Sequence, residues 1–315
     1  MTIFGRLRRF LPTRQAAAPE RQSLRQAVRV VTDSTADLSP EQAQELGITV
    51  VPMQVIFGEE SFRDGIDLTS DEFFRRLTES DELPHTSQPS VGDFQETYER
   101  LAAETEQILS IHLSAGFSGT VDTARQAAQA LIGRCSIEVI DSRTVSMAMG
   151  FAVIAAARAA REGADLEACA EAARGTMERG QLAIALDTLE YLRRGGRIGR
   201  AQAFLGSVLR LKPILTIRDG GAHPLTRVRT RRKALDELLR LCLEQNDVVE
   251  AAVMHTTTPD DARHLAEEIE RRCGIAVHIG RMGPVISVHG GPGTIGLAVV
   301  LAEEPQPAGE TKEAG

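Results

Sequence analysis

The feature that most restricts the fold is an alternation of short, nearly continuous apolar runs with helix-like segments. "VRVVTDS" (28–34) is rich in β-branched residues and ends on polar side chains. "LSPEQAQELG" (38–47) follows with full helix punctuation: Ser39 at the N-cap, Pro40 in the first turn, Gln42 completing a capping box and Gly47 at the stop. "ITVVPMQVIF" (48–57) then reads as a second strand. Helices are expected near 70–80, near 91–104 and from about Thr120 to Ile132, with strands at "QILSIHLS" (107–114) and "IEVIDS" (137–142). Strands without a polar face, separated by helices, belong to a parallel sheet covered on both sides.

The second half has a different texture. "LAIALDTLEYLRRGGRIG" (182–199) runs from a strand into a glycine-rich basic turn, and "KPILTIRDGGAHPLTRVRT" (212–230) reads as two strands joined at Asp219, Gly220 and Gly221. "VEAAVMHTT" (249–257) and "AVHIGRMGPVISVHGGPGTIGLAVVL" (276–301) supply further strands. The expectation is two α/β domains, an N-terminal parallel sheet flanked by helices (28–175) and a C-terminal mixed sheet with helices (176–303), between a basic arm (1–27) and a polar tail (304–315). The arm places Phe4, Leu7, Phe10 and Leu11 at helical spacing beside Arg6, Arg8 and Arg9. A surface-binding amphipathic helix giving peripheral membrane contact and a basic arm without a partner are both open readings.

Charge and motifs narrow the function. With 36 basic and 44 acidic side chains the net charge is −8, which argues against nucleic-acid binding through a phosphate-neutralising surface. Cys135, Cys169, Cys242 and Cys273 lie far apart without a C-x-x-C pair, so no metal site is expected and a reduced cytoplasmic protein is. "VSMAMGFAVIAAARAA" (145–160) meets Arg158 too early to span a bilayer core of about 20 residues and reads as a buried helix. There is no G-x-x-x-x-G-K-[ST] loop, and no dinucleotide glycine motif follows the first strand, so no nucleotide cofactor is expected.

"HLSAGFSGT" (112–120) raises the main chemical question, because "GFSGT" is one residue from the G-x-S-x-G turn of serine hydrolases. Thr120 stands where the second glycine belongs. A serine hydrolase acting through Ser118 is one reading. In the other, a Gly/Ser turn after a parallel strand presents N–H groups and hydroxyls to an anion at the start of a helix. The polar loops at 32–37, 84–90 and 288–296 would converge on the same crevice.

The ordered set "VTDSTADL", "FRDGID", "TSQPS", "LSAGFSGT", "IDS", "LRRGGRIG", "LKPILTI", "VRTRRKA" and "GPVISVHGGPG" closely resembles the DegV family, over about Val28 to Leu301. The resemblance implies a non-catalytic protein that buries one long-chain fatty acid between two domains, with no other cofactor. It also implies a partner, the catalytic subunit of a fatty acid kinase, which phosphorylates the presented carboxyl group to an acyl phosphate. Carried over by position, it implies that Thr86, Ser118 and His289 bind the carboxyl group, with Ser87, Ser114, Gly119 and Gly290 in support. Relatives often have two serines where this chain has Ser114 and Ala115. A carboxylate is a poor electrophile, so on this reading Ser118 holds the ligand and does not attack it. Candidates to line the acyl tunnel lie in "VVPMQVIF" and "FAVIAAARAA", and Arg194, Arg197 and Arg229 are the implied docking residues for the kinase. A module for another small acidic, lipid-like ligand is the remaining alternative.

Overall fold

The computed structural model describes residues 26–80, 82–205, 211–245 and 247–303. All but two residues of the basic arm, and the polar tail, lie outside them. The first half runs β1 (Arg29–Asp33), α1 (Pro40–Leu46), β2 (Thr49–Val51), β3 (Gln54–Phe57), β4 (Glu60–Arg63), α2 (Ser70–Glu79), β5 (His85–Ser87), α3 (Val91–Ala102), β6 (Gln107–His112), α4 (Thr120–Gln129), β7 (Ser136–Asp141), α5 (Met147–Arg161) and α6 (Leu166–Arg179). The second half runs β8 (Gly180–Ala185), α7 (Glu190–Arg194), β9 (Lys212–Arg218), β10 (Gly221–Val228), α8 (Arg231–Leu243), β11 (Val248–His255), α9 (Pro259–Cys273), β12 (Val277–Arg281), α10 (Pro284–Gly290) and β13 (Ile295–Leu301).

The strands form an all-parallel sheet of order β2-β1-β6-β7 and a mixed sheet of order β10-β9-β8-β13-β11-β12. The α/β class and the parallel-then-mixed character match the sequence expectation. The helix signals act as read: Ser39 and Gln42 close a capping box on α1, and Gly47 ends the helix at a φ of 67°.

Two expectations fail locally. Residues 48–57 are two strands in different sheets: β2 pairs with β1, while β3 is the centre of a small antiparallel sheet, β4-β3-β5. Pro52 lies between them and has no N–H to give a ladder. Within 276–301, "PVISVHG" is the helix α10, with Gly283 at its N-cap and Pro284 in its first turn.

The largest apolar core runs between the two main sheets. It joins Val30 and Leu109 of the parallel sheet, Phe151 of α5, and Leu182, Met254 and Val300 of the mixed sheet. Helix α5 packs on β1 and also touches β8 and β13, which explains why ten of its residues are buried. The parallel sheet, the mixed sheet and the small sheet meet around a space that this core does not fill.

Candidate functional site

That space is a cavity of about 400 Å³, inside the range of about 300–1,000 Å³ usual for small-molecule sites. Most of its wall is apolar, including Met53, Leu113, Phe117, Leu182, Ile217 and Met282. Of the two stretches expected to line a tunnel, the first contributes Met53 and the second contributes nothing. Residues 151–160 belong to α5, whose apolar side chains are used up by core packing.

The polar residues of the wall come from four separate segments. Thr86 lies on β5, opposite Val55 of β3. Ser118 sits in the loop between β6 and α4, His289 in α10, and Arg197 beyond α7. Thr86 Oγ1 and His289 Nε2 are 3.0 Å apart. Burial, with the Arg197 charge second, pushes the His289 pKa down to about 4, so the ring is neutral at physiological pH. Its buried Nδ1 has no hydrogen-bond partner among the described residues. An orphaned buried N–H is rarer than an orphaned acceptor, so the proton belongs on Nε2, which donates to Thr86. The Thr86 hydroxyl hydrogen is then free to point into the cavity.

The imidazole is packed without slack. A Cβ added to Gly195 would stand 2.3 Å from His289 Nδ1, so glycine at 195 is a steric requirement of the site. The start of α10 is tied to the N-terminal half by two buried carboxyl groups. Asp37 accepts from the Gly283 N–H at 2.8 Å and from Ser146 Oγ. Asp64 accepts from Ser34 Oγ at 2.8 Å and from the Val285 backbone. Burial raises both pKa values to about 7.

The Ser118 loop is anchored with equal care. Asp33 Oδ2 accepts from the Leu113 N–H at 3.0 Å, and Asp141 Oδ1 accepts from the Ala115 N–H at 3.1 Å. Ser118 Oγ lies 2.8 Å from Thr120 Oγ1, so its nearest polar neighbour is a hydroxyl and not a general base. A Ser–His–Asp chain does exist nearby: Ser110 Oγ is 2.7 Å from His112 Nε2, and His112 Nδ1 is 3.0 Å from Asp33 Oδ2. All three side chains are fully buried and Ser110 also bonds Tyr98, so no substrate can reach that hydroxyl. Its work is to hold Asp33, and through it the loop.

Thr86, Ser87, Ser118, His289 and Gly290 therefore converge on one cavity wall. Ser114 and Gly119 do not line it. Ser114 Oγ donates to Gly220 O at 2.7 Å, fastening the loop to the β9–β10 hairpin, and Gly119 is the N-cap of α4 packed against Gln88. Gln88, next to the recognised threonine and serine, joins the wall, as do Thr35 and Ser146. Thr35 lies in the polar loop expected at 32–37, whereas Ser146, just before α5 and bonded to Asp37, carries no motif signal.

The three arginines part company. Arg197, expected at an open docking surface, is half-buried in the cavity wall, with Nε donating to Phe117 O at 3.1 Å and Nη1 to Gly195 O at 2.7 Å. Arg229 is exposed just past β10. Arg194 is exposed and lines a second depression of about 340 Å³, which shares Thr86, Arg197 and His289 with the main cavity.

Known proteins show the same organisation. The sequence profile described as "Uncharacterised protein, DegV family" matches residues 27–302. A DegV domain-containing protein of Halalkalibacterium halodurans is 41% identical over 278 residues, covering 86% of this chain and 97% of that protein. A fatty-acid-binding DegV family protein from Thermus thermophilus has 34% identity and a TM-score of 0.81, covering 88% of this chain and all of its own. A stearic acid-binding protein from Eubacterium ventriosum has 26% identity and a TM-score of 0.80, covering 87% of this chain and 98% of its own. Since the match takes in both main sheets and every residue of the cavity wall, this chain belongs to the DegV family.

Proposed function

We propose that this protein binds one long-chain fatty acid, with the acyl chain in the apolar cavity and the carboxyl group against Thr86, Ser118, His289 and Arg197. The observation that carries this reading is the make-up of the cavity: a mostly apolar space that meets the second depression at a hydroxyl, an imidazole and a guanidinium, those of Thr86, His289 and Arg197. Solved relatives that bind fatty acid, one of them stearic acid, support the ligand class. Burial at about 0.8 kcal/mol per CH₂ gives a ~16-carbon chain on the order of 12 kcal/mol before ordering costs. The polar wall then has to offset desolvation of the head group, which a neutral histidine, two hydroxyls and one guanidinium can do.

On the same reading the protein does no chemistry itself and presents the carboxyl group to a separate ATP-dependent kinase, which converts it to an acyl phosphate. The head group would lie beside the depression that carries the exposed Arg194, and Arg194 and the exposed Arg229 are suited to steering a partner. Four free cysteines support a reducing cytoplasmic location. Mass spectrometry of lipid extracted from gently purified protein tests the first step. A stoichiometric fatty acid is expected, and failure to contain or take up any fatty acid across a range of chain lengths would overturn it. Incubation of the loaded protein with ATP and the cognate kinase tests the second.

A further inference from the structure

Two hydroxyl residues of the main cavity wall, Thr35 and Ser146, do not line the second depression, whereas Thr86, Arg197 and His289 do. They sit together and are buried: the Ser146 N–H donates to Thr35 O at 2.8 Å. Ser146 Oγ donates to Asp37 Oδ2, and Asp37 Oδ1 accepts from the Gly283 N–H at 2.8 Å, which ties this pair to the start of α10. His289 stands at the other end of that helix, whose 7 residues rise about 10 Å. The rest of the wall near the pair is apolar. Val145 precedes Ser146, Met282 and Val285 flank the first turn of α10, and the Met53 N–H donates to Ser34 beside Thr35. Each hydroxyl gives its hydrogen to a carboxyl group, Thr35 to Asp33 and Ser146 to Asp37. What remains on each oxygen is acceptor capacity. Ser146 holds its place with a φ of 55°, a left-handed conformation that a residue with a Cβ adopts only where its surroundings impose it.

From this second polar patch we infer that the protein takes fatty acids bearing a hydroxyl group partway along the acyl chain, which donates to Ser146 Oγ or Thr35 Oγ1 while the carboxyl group stays at Thr86 and His289. The inference rests on the fatty-acid reading above and deepens it. A hydroxyl is the smallest group that brings a donor to an otherwise apolar chain, and a methylene brings none. It also suits both forms of Asp37, which burial brings to titrate at about 7. With Asp37 ionised, Ser146 accepts from the ligand; with Asp37 protonated, the carboxyl proton can go to Ser146 Oγ and Ser146 can donate instead. A ligand hydroxyl answers either state. A plain chain leaves each oxygen with the one bond it already has, which is enough for a buried hydroxyl, so the patch adds a ligand class without excluding the unsubstituted acid.

Stearic acid and a series of hydroxystearic acids, with the hydroxyl moved stepwise along the inner part of the chain, would be measured by calorimetry on delipidated wild-type protein, Ser146→Ala and Thr35→Val. Alanine keeps the Cβ of Ser146, and valine keeps the shape of Thr35. In wild type one or two neighbouring positions should bind within about threefold of stearic acid, and the others should lose about tenfold or more, because their hydroxyl enters apolar wall unpaired. At least one substitution should flatten that peak, costing the favoured hydroxy acid about tenfold while stearic acid changes by less than about threefold. Thermal unfolding shows which variants fold. Ser146 also holds Asp37, so Thr35→Val carries the comparison if Ser146→Ala does not fold, and the wild-type profile needs no variant. An even loss at every position in wild type, a peak that survives both substitutions, or equal weakening of stearic acid and the hydroxy acid overturns the inference and leaves the fatty-acid reading standing. If the wild type binds neither stearic acid nor any hydroxy acid, that reading fails and this one with it.

Discussion

Thr86 and His289, 203 positions apart in the chain, meet at 3.0 Å between Oγ1 and Nε2 in the wall of a mostly apolar cavity. The neutral imidazole donates, so the threonine hydroxyl can donate a hydrogen bond to a ligand oxygen. Thr86→Val keeps the shape and removes that donor. It should weaken fatty-acid binding by about 1.5–3 kcal/mol, roughly 10- to 150-fold, and should reduce the preference for the acid over its methyl ester. Competition binding with the acid and ester pair checks this.

Gly195→Ala should act on the same pair without touching the ligand. The new methyl group would stand 2.3 Å from His289 Nδ1, and the Tyr191 carbonyl lies 3.1 Å from it, so the ring must shift and its bond to Thr86 is disturbed. A loss of fatty-acid affinity at least as large as that of Thr86→Val is expected, with a thermal unfolding scan to show that the variant folds. Unchanged affinity would mean that the ring position does not matter.

Ser118→Ala tests holding against attack. Its hydroxyl is bonded to Thr120 and has no hydrogen-bonded base among the described residues, so wild-type protein offered an activated acyl ester should show no acyl-serine adduct by mass spectrometry. The variant should lose about 1.5–3 kcal/mol of head-group binding, small beside the acyl-chain contribution. An adduct on Ser118 would restore the hydrolase reading.

Arg197→Met removes the second cause of the depressed His289 pKa and leaves the first, burial. The His289 pKa, followed by NMR, should rise from about 4 yet stay below its ordinary 6.5. Fatty-acid affinity should fall and lose part of its salt dependence. Full affinity in this variant would return Arg197 to the docking role that its sequence context first implied.

Asp37 and Asp64 predict a pH dependence. Both titrate near 7 in the folded protein against 3.8 as ordinary carboxyl groups, so the native state keeps protons that the unfolded chain has released. Their contribution to stability is full below the unfolded value and is lost as pH rises through about 7. His289 runs the other way, losing its contribution as pH falls from 6.5 toward 4. The Asp37→Asn/Asp64→Asn variant isolates the carboxyl groups: its melting temperature should gain on wild type between about pH 5.5 and 8.5, by several degrees. A constant difference across that range would show that neither group titrates there.

Much of the architecture could be read directly from the chain. A capping box at Ser39 and Gln42, a glycine stop at Gly47 and strands without a polar face are local signals, because helix ends and strand burial are settled within a few residues. Thr86, Ser118 and His289 were legible through motif order, since each lies in a loop or short element whose sequence has little other reason to be glycine- and hydroxyl-rich. The division of labour among them was not. Ser114 and Ser118 look alike in "LSAGFSGT", yet one fastens the loop to Gly220 and the other faces the cavity. Arg194 and Arg197 look alike in "LRRGGRIG", yet one stands over an open depression and the other is held in the wall by the carbonyls of Phe117 and Gly195. Which way a side chain points, and which titratable groups become buried together, depends on contacts across 80 to 246 positions of sequence, such as Arg197 to Phe117 and Gly283 to Asp37. Local sequence decides which elements form; only the packing of the sheets decides which of their polar groups lose water and must find one another.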